Sequence, residues 1–242
     1  MSIDPTTAAA RRPERVRRLD HVVVIVDDLD DGAARLEEIG FHVTARSDHP
    51  FGTSNRLVML TDSYIELIAV TQPGAVPDSG FARFVSDSAA AGRLGPRLVV
   101  FRSDDPEADR AQLPVGSELL RFGRDARLPD GTEARVEFVT VMPGFGDAPV
   151  VTFLCHHLTP ETIWHPSLLH HPNGARRLAR AVLPDPGPAG WDRIIAMASA
   201  DTGPPVVVAN STLDEGSPRL VVEGSVAAAV TLSDTTVEVV PP

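Results

Sequence analysis

The chain contains no lysine, and all 22 of its basic residues are arginine. Without a lysine amine no lysine Schiff base can form, which excludes lysine-bound pyridoxal phosphate and lysine-type aldolase chemistry. Cysteine is almost as scarce: Cys155 is the only one among 242 residues, so an intrachain disulfide is excluded and a reducing cytoplasm is favoured. No apolar run approaches the roughly 20 residues of a membrane-spanning helix.

An excess of positive charge is also missing. The net charge is -11 at pH 7, which argues against nucleic acid as the main partner because phosphate contacts need a basic surface. The N-terminus lacks an apolar signal region, and residues 1–17 are predicted to form a mobile basic arm. These features predict a cytoplasmic protein that binds neither nucleic acid nor membrane. The sequence also lacks a glycine-rich phosphate loop, a nucleophile elbow and a Cys-x-x-Cys site.

Two short apolar runs each carry one chemically active side chain. The run 19–26 contains His21, and the run 64–70 contains Glu66. Both runs are predicted strands, because they are short, rich in β-branched residues and bounded by turn formers. Both faces of the second run are mostly apolar, so Glu66 is expected to be buried, where a carboxylate needs a cation or strong donors. An imidazole on one strand and a buried carboxylate on another indicate a metal site.

The chain contains a repeat, since residues 22–36 resemble residues 99–113 at a constant offset of 77. In each copy a strand is followed by two aspartates and an amphipathic helix, and acidic residues suit a helix N-terminus. Three strand-like runs follow each helix. The repeat therefore predicts two β-α-β-β-β modules, whose later strands are expected at about 41–48, 55–61 and 63–70 and again at about 116–123, 133–142 and 149–157.

A weaker third copy is predicted toward the C-terminus, on pattern alone. It begins with a strand at 177–183 and passes through a short helix at 191–199. Three further strands are expected near 205–210, 218–223 and 235–240.

Two segments resemble the vicinal oxygen chelate superfamily, which comprises glyoxalase, bleomycin-resistance and extradiol-dioxygenase proteins. They are the Leu-Asp-His-Val-Val-Val start at residue 19 and the Tyr-Ile-Glu-Leu-Ile-Ala-Val strand at residue 64. The segments 52–57 and 171–175 further resemble a glyoxalase-like domain subgroup. The resemblance implies an α+β fold of paired β-α-β-β-β modules forming a cupped mixed sheet around a divalent metal. The sequence pattern adds the degenerate third module at the C-terminus.

This organisation predicts three parts of the chain. Residues 1–17 are the arm, 18–160 the paired-module domain, and 161–242 a connector with the third module packed on that domain. The third module is expected to hold no metal ligand and to close the open side of the cup, which would exclude water from the site. A homodimer is also predicted.

The resemblance implies that His21 and Glu66 bind the metal, which would be Fe²⁺, Mn²⁺, Zn²⁺ or Ni²⁺. The second module departs from the family pattern, because Leu98 stands at the position equivalent to His21. A third ligand must come from elsewhere, and His156 and His157 end the last strand of that module. Strand alternation leaves both open; we favour His156 as the ligand and assign His157 to substrate binding.

The polar segment 49–56 is predicted to contact substrate through His49, Asn55 and Arg56, although Arg56 could also make only a surface ion pair. Trp164 is predicted to cover the mouth of the cup, or else to pack at the module junction. Glu66 and His49 are the predicted catalytic residues. Cys155 is expected to be a buried structural thiol rather than a nucleophile.

The predicted function is that of a metal-dependent enzyme, of isomerase, lyase or dioxygenase type. It would chelate neighbouring oxygens of a small molecule and stabilise an enolate-like or alkoxide charge. The alternative is a metal-free protein of the same fold that binds a small molecule, such as an antibiotic, and sequesters it.

Overall fold

The structure is a computed structural model, which describes residues 17–75, 79–113, 116–128, 130–146, 148–185, 187, 206–209 and 218–242. The predicted arm at 1–17 lies almost entirely outside the described residues, as does the predicted helix at 191–199.

The larger of two sheets is curved and mixed, and its eight strands follow the order β2-β3-β4-β1-β5-β8-β7-β6. Its edge strands β2 and β6 contact each other, which nearly closes the curve. The strands are β1 (Leu19–Ile25), β2 (Ser47–Asp48), β3 (Thr53–Met59), β4 (Tyr64–Val70), β5 (Gly95–Arg102), β6 (Glu118–Arg127), β7 (Glu133–Met142) and β8 (Val151–His157).

The two halves of this sheet repeat one topology, which confirms the paired modules. In the first half β1 pairs parallel with β4, and in the second half β5 pairs parallel with β8. The halves join through the antiparallel pairing of β1 with β5. Each first strand is followed by a helix that an aspartate caps: Asp28 accepts from two backbone amides of α1 (Leu29–Glu38), and Asp105 caps the shorter α3 (Pro106–Arg110).

Strand alternation gives the curved sheet two different faces. On its inner face Val23, Ile25 and Leu98 belong to a core cluster rich in phenylalanine. On its outer face Val22 and Val24 belong to a second cluster with α1. The inner face is covered by α2 (Gly80–Ala90), a helix that the sequence analysis did not predict and that joins the two modules.

A smaller sheet follows a connector containing α4 (Pro160–Ile163), and its strand order is β10-β9-β11-β13-β12. This order differs from that of the two modules, because β9 lies between β10 and β11 instead of beside the last strand of its own repeat. The strands are β9 (Arg177–Leu183), β10 (Val206–Ala209), β11 (Arg219–Glu223), β12 (Ala228–Leu232) and β13 (Thr235–Val240).

In the described residues the small sheet packs on the outer face of the large sheet and not over the open side of the cup, which corrects that expectation. Leu178, Leu220 and Val237 are fully buried in the cluster on the outer face of the large sheet, together with α1. The amphipathic alternation of β11 and β13 leaves one apolar face to bury, and the outer face of the large sheet is the apolar surface that receives it.

No helix within the described ranges is long and apolar enough to span a membrane.

Candidate active site

A small cavity lies on the inner face of the large sheet, and we call it the inner cavity. Its volume is about 40 Å³, so it has room for a few atoms of a ligand. Strands of both modules and α2 line it, and the lining alternates with outward-facing residues along each strand. The polar lining residues are His21, His49, Asn55, Glu66, Arg124 and Thr140, and the others are Phe51, Tyr64, Phe81, Phe122, Phe138, Met142, Phe153 and Cys155.

His21 connects two buried carboxylates. Its Nδ1 donates to Asp20 Oδ2 at 2.7 Å, because an ionised carboxylate can only accept. Its Nε2 lies 3.4 Å from Glu66 Oε2. The imidazole also stacks on the Tyr64 ring, with ring centroids 4.3 Å apart, so its orientation is fixed from three sides.

Asp20 is a fully buried carboxylate that holds three cationic or donor groups. Besides His21, Oδ2 accepts from His157 Nε2 at 2.8 Å, and Oδ1 accepts from Arg102 Nε at 3.1 Å. Burial alone would raise the pKa of Asp20, but the charges and hydrogen bonds of His157 and His21 hold that pKa well below its usual value. Asp20 therefore stays ionised and positions the imidazole of His21.

Glu66 is 6% exposed and is held on its other oxygen by Asn55, whose Nδ2 donates to Oε1 at 2.8 Å. The same Asn55 nitrogen lies 3.3 Å from His49 Nε2, while His49 Nδ1 lies 2.8 Å from Thr53 Oγ1. Burial, together with the nearby charge of Arg124, lowers the pKa of His49 to about 3. His49 is therefore a neutral acceptor at physiological pH and lies 3.9 Å from Glu66.

Arg124 brings a buried positive charge to this wall of the inner cavity. It is 6% exposed and stands on β6, near His49, which follows β2 where these two edge strands meet. Its Nε has no hydrogen-bond partner. Burial lowers the pKa of Arg124, and the nearby charge of Glu66 opposes that shift. A guanidinium nevertheless remains protonated in proteins.

The structure does not bring His156 together with His21 and Glu66. Because side chains alternate along β8, Cys155 and His157 turn toward the inner side and His156 turns away. His156 Nδ1 instead lies 2.7 Å from the carbonyl oxygen of Ser103. The sequence analysis favoured His156 as the third metal ligand, and the geometry of β8 corrects this: the side chain of His156 points away from His21 and Glu66.

Three other predicted residues occupy different places. Arg56 faces away from the inner cavity and forms an ion pair with Asp30 at 2.6 Å, the surface alternative considered above. Trp164 packs behind Tyr64 and donates to the carbonyl of Leu60 at 3.1 Å, so it lies at the module junction. Cys155 lines the cavity, but burial, reinforced by the nearby charges of Asp20 and Glu66, raises the pKa of its thiol well above the usual value. A protonated thiol is a poor nucleophile.

The residues do not fit the metal site that was predicted. The first module supplies His21 and Glu66, but the strand registers place Leu98 and Phe153 at the corresponding positions of the second. Two protein ligands are fewer than the three or four of typical sites. Within the described part of the chain, the one group of three metal-capable side chains that converges is Asp20, Cys155 and His157.

A larger depression adjoins the inner cavity, and we call it the outer cleft. Its volume is about 540 Å³, and it shares Met142 with the inner cavity. On β6, Glu118 and Leu120 line the outer cleft, while Phe122 and Arg124 continue the same strand face into the inner cavity. The inner cavity and the outer cleft therefore lie next to each other along one face of β6.

Sequence reasoning missed Asp20, Tyr64 and Arg124. Strict alternation places Asp20 on the face opposite His21, but an irregularity in the β1–β5 register between Leu19 and His21 lets both side chains meet. An acidic residue next to a strand histidine is a signal that could have been used, because carboxylates commonly orient functional imidazoles. Alternation along β6 separates Arg124 from the exposed Arg121, but each face of this strand carries a leucine and an arginine, so the sequence alone does not mark which face is buried.

The sequence matches the model of a glyoxalase-like domain over residues 19–197, which is more than half of the chain. No curated protein matches the chain. Among solved structures, a hypothetical protein from Staphylococcus aureus is similar over 94% of this chain and 100% of its own, with 12% identity and a TM-score of 0.65. That similarity concerns the fold.

Two further solved structures are more distant. Methylmalonyl-CoA epimerase of Streptomyces coelicolor aligns over 60% of this chain and 96% of its own, with 20% identity and a TM-score of 0.39. A variant of 4-hydroxymandelate synthase from the same organism aligns over 64% of this chain and 55% of its own, with 15% identity and a TM-score of 0.39. With its paired modules and the extent of the sequence match, this chain belongs to the glyoxalase-like domain family of the vicinal oxygen chelate superfamily.

Proposed function

We propose that this protein is an enzyme that transfers a proton on a small oxygenated molecule. The observation that supports this best is the buried pair of His21 Nε2 and Glu66 Oε2, 3.4 Å apart on the wall of the inner cavity. Because His21 Nδ1 donates to Asp20, Nε2 is the nitrogen that faces the Glu66 carboxylate and can exchange a proton there. Two neighbouring bases in a mostly apolar cavity suit the removal and return of a proton.

The proposed step begins with a carbon next to a carbonyl group. Glu66 takes the proton from that carbon, the electron pair of the broken C–H bond forms the enolate double bond, and the carbonyl oxygen takes the negative charge. Return of a proton to the same or the neighbouring carbon then gives epimerisation or isomerisation. Asp20 favours a positive charge on His21 whenever the imidazole holds the proton, because it accepts from Nδ1 at 2.7 Å.

The surroundings of the pair support the same chemistry. Phe81 and Phe153 wall off the cavity, and a low-dielectric site strengthens charge interactions. Asn55 fixes one oxygen of Glu66 and leaves the other beside His21.

The test is proton exchange in deuterium oxide, followed by proton NMR. Benzylacetone and benzylpyruvate are suitable probes, because each carries exchangeable hydrogens beside a carbonyl and a phenyl group for the phenylalanine-rich lining. The wild-type protein should speed exchange of at least one probe over the buffer rate, and Glu66→Gln should reduce that acceleration by about a hundredfold or more. Glu133→Gln, an exposed position on β7, is the matched control.

Saturable binding of a probe with no acceleration of exchange would contradict the proposal. That result would favour the metal-free binding protein considered from the sequence. Retention of full exchange by folded Glu66→Gln would likewise remove Glu66 from the reaction.

A second candidate is a metal-dependent enzyme, and the convergence of Asp20, Cys155 and His157 favours it. Carboxylate, thiolate and imidazole are the donor types that zinc prefers. Elemental analysis after reconstitution with Zn²⁺, Mn²⁺, Fe²⁺ or Ni²⁺ tests it. Loss of bound metal in Cys155→Ala, but not in Glu66→Gln, would support this group; absence of any bound ion would dismiss it. The existing hydrogen bonds of Asp20 already account for the cluster without an ion.

A further inference from the structure

Arg124 is a buried cation without a counter-ion at contact distance. Its side chain lines the inner cavity, and no described carboxylate lies within ion-pair distance of its guanidinium. The contrast with Arg102 is direct, because Arg102 donates to Asp20 at 3.1 Å and to the carbonyl of Asp62 at 2.7 Å. A buried guanidinium with an unused donor is costly unless another group comes to meet it.

Asn55 offers the complementary unused group. Its Oδ1 is buried without a hydrogen-bond partner. The amide cannot simply be turned over, since Oδ1 would then face the Glu66 carboxylate that Nδ2 now contacts at 2.8 Å. The inner cavity therefore presents an unmet donor on Arg124 and an unmet acceptor on Asn55, with Glu66 beside both.

The shape of the site limits how a ligand could meet them. The inner cavity admits only a few atoms, whereas the outer cleft offers about 540 Å³. Leu120 and Phe122 connect the two along β6, and Met142 borders both. A ligand with a small polar head and a longer remainder matches this division, and the outer cleft offers that remainder both apolar side chains and the charged Arg83 and Glu118.

We propose that the ligand of this site carries a carboxylate or similar oxyanion that Arg124 binds, together with a hydroxyl or enol group that donates to Asn55 Oδ1. This inference rests on the proposed function and deepens it by naming the substrate class: a small hydroxy or oxo acid whose remainder extends beyond the inner cavity. Arg124 is then a specificity-determining residue. Its planar fork suits two-point binding of a carboxylate, which a neutral amide cannot reproduce.

Binding by the full-length protein tests the inference without reference to catalysis. The probes are phenylpropionate, its neutral amide phenylpropanamide, and phenyllactate, which adds a hydroxyl to the acid; isothermal titration or ligand-observed NMR reports the Kd. The wild type should bind phenylpropionate at least about tenfold more tightly than the amide, as charge-assisted hydrogen bonds are the stronger ones. Phenyllactate should bind more tightly still.

Arg124→Gln should abolish the preference for the acid, and Asn55→Ala should abolish the gain from the hydroxyl. Arg121→Gln is the matched control, because Arg121 lies three residues away on the opposite face of β6 and is exposed. Arg124→Lys keeps the charge and serves if Arg124→Gln fails to fold; it should retain acid binding with a loss of about tenfold. Melting curves establish which variants are folded.

Two results would overturn the inference: wild-type protein that binds no carboxylate probe or does not distinguish acid from amide, and folded Arg124→Gln that keeps the preference. The proposed function fails separately. Exchange of benzylacetone, which has no carboxylate, tests Glu66 alone, so proton transfer can be confirmed even if the inference about Arg124 is wrong. Conversely, the wild type can bind acids selectively, and Arg124→Gln can lose that selectivity, even if no proton exchange is observed.

Discussion

His49 is a buried imidazole that must remain neutral for the site to keep its geometry. Asn55 Nδ2 lies 3.3 Å from its Nε2, so Nε2 serves as the acceptor and Nδ1 carries the proton toward Thr53. Protonation would convert Nε2 into a donor that faces the donor of Asn55 and adds a charge beside Arg124. Because the pKa of His49 is lowered to about 3, both the stability of the folded protein and the geometry of the site depend on His49 remaining neutral.

The predicted consequence is a loss of stability in acid. An unfolded histidine takes up a proton below its ordinary pKa of 6.5, whereas folded His49 does so only near 3, so the unfolded state binds more protons between these values. The stabilising effect is complete above pH 6.5 and is lost as the pH falls toward 3. The loss should reach roughly a few kcal/mol.

Urea unfolding at a series of pH values measures this. His49→Gln should give a flatter dependence than wild type, and the slope that remains would include His171, whose pKa burial also lowers. His170→Gln, which changes an exposed histidine, should alter the wild-type curve only slightly, because the charge of His170 is a minor cause of the lowered pKa of His171. Parallel curves for wild type and His49→Gln would show that His49 does not carry the effect.

At the scale of elements, the strands were well predicted where one face of the pattern is continuously apolar. The prediction of 133–142 matches β7, and 177–183 matches β9. Strand β2 shrinks to two residues where eight were expected, because little of the segment after α1 pairs with β3. Helix α2 was missed since it belongs to neither repeat and begins only after a proline- and glycine-rich stretch.

The sequence predicted site residues that lie on the strands of the repeat and carry a reactive side chain. It did not predict residues that are buried only because the edges of the curved sheet meet. Glu66 was expected to be buried, and it is, at 6% exposure. Arg124 could not be found in this way, because its burial follows from β6 meeting β2 across the curved sheet. That contact joins residues far apart in sequence, which no local pattern reports.

Helix α2 contributes a further prediction. Phe81 is 6% exposed and contacts the rings of Phe51 and Phe153 across the inner face. Phe81→Ala should lower the free energy of unfolding by about 3–5 kcal/mol, since truncating a buried phenylalanine leaves a cavity. Denaturant unfolding measures the change. Ser86→Ala, on the same helix and only partly buried, is the control and should cost little. Equal stabilities would show that α2 does not seal the inner face.

In the whole molecule the candidate site lies on the inner face of the large sheet, whereas the small sheet packs on its outer face. Leu220 is fully buried in the cluster that joins the small sheet, α1 and the outer face of the large sheet, and it touches none of the cavity lining. Leu220→Ala should therefore reduce the free energy of unfolding by about 2–5 kcal/mol while leaving the Kd for phenylpropionate unchanged at temperatures where the variant is folded.

Thermal unfolding and titration of the same sample separate the two effects. Val221→Ala, whose side chain points to the other side of β11, is the control and should shift Tm far less. An altered Kd in folded Leu220→Ala would mean that packing on the outer face sets the geometry of Arg124 and Glu66 through the sheet. The unchanged Kd that we expect follows from the strand alternation itself: inward and outward side chains share a backbone that the eight-stranded pairing holds in place, so a void on one face need not displace groups on the other.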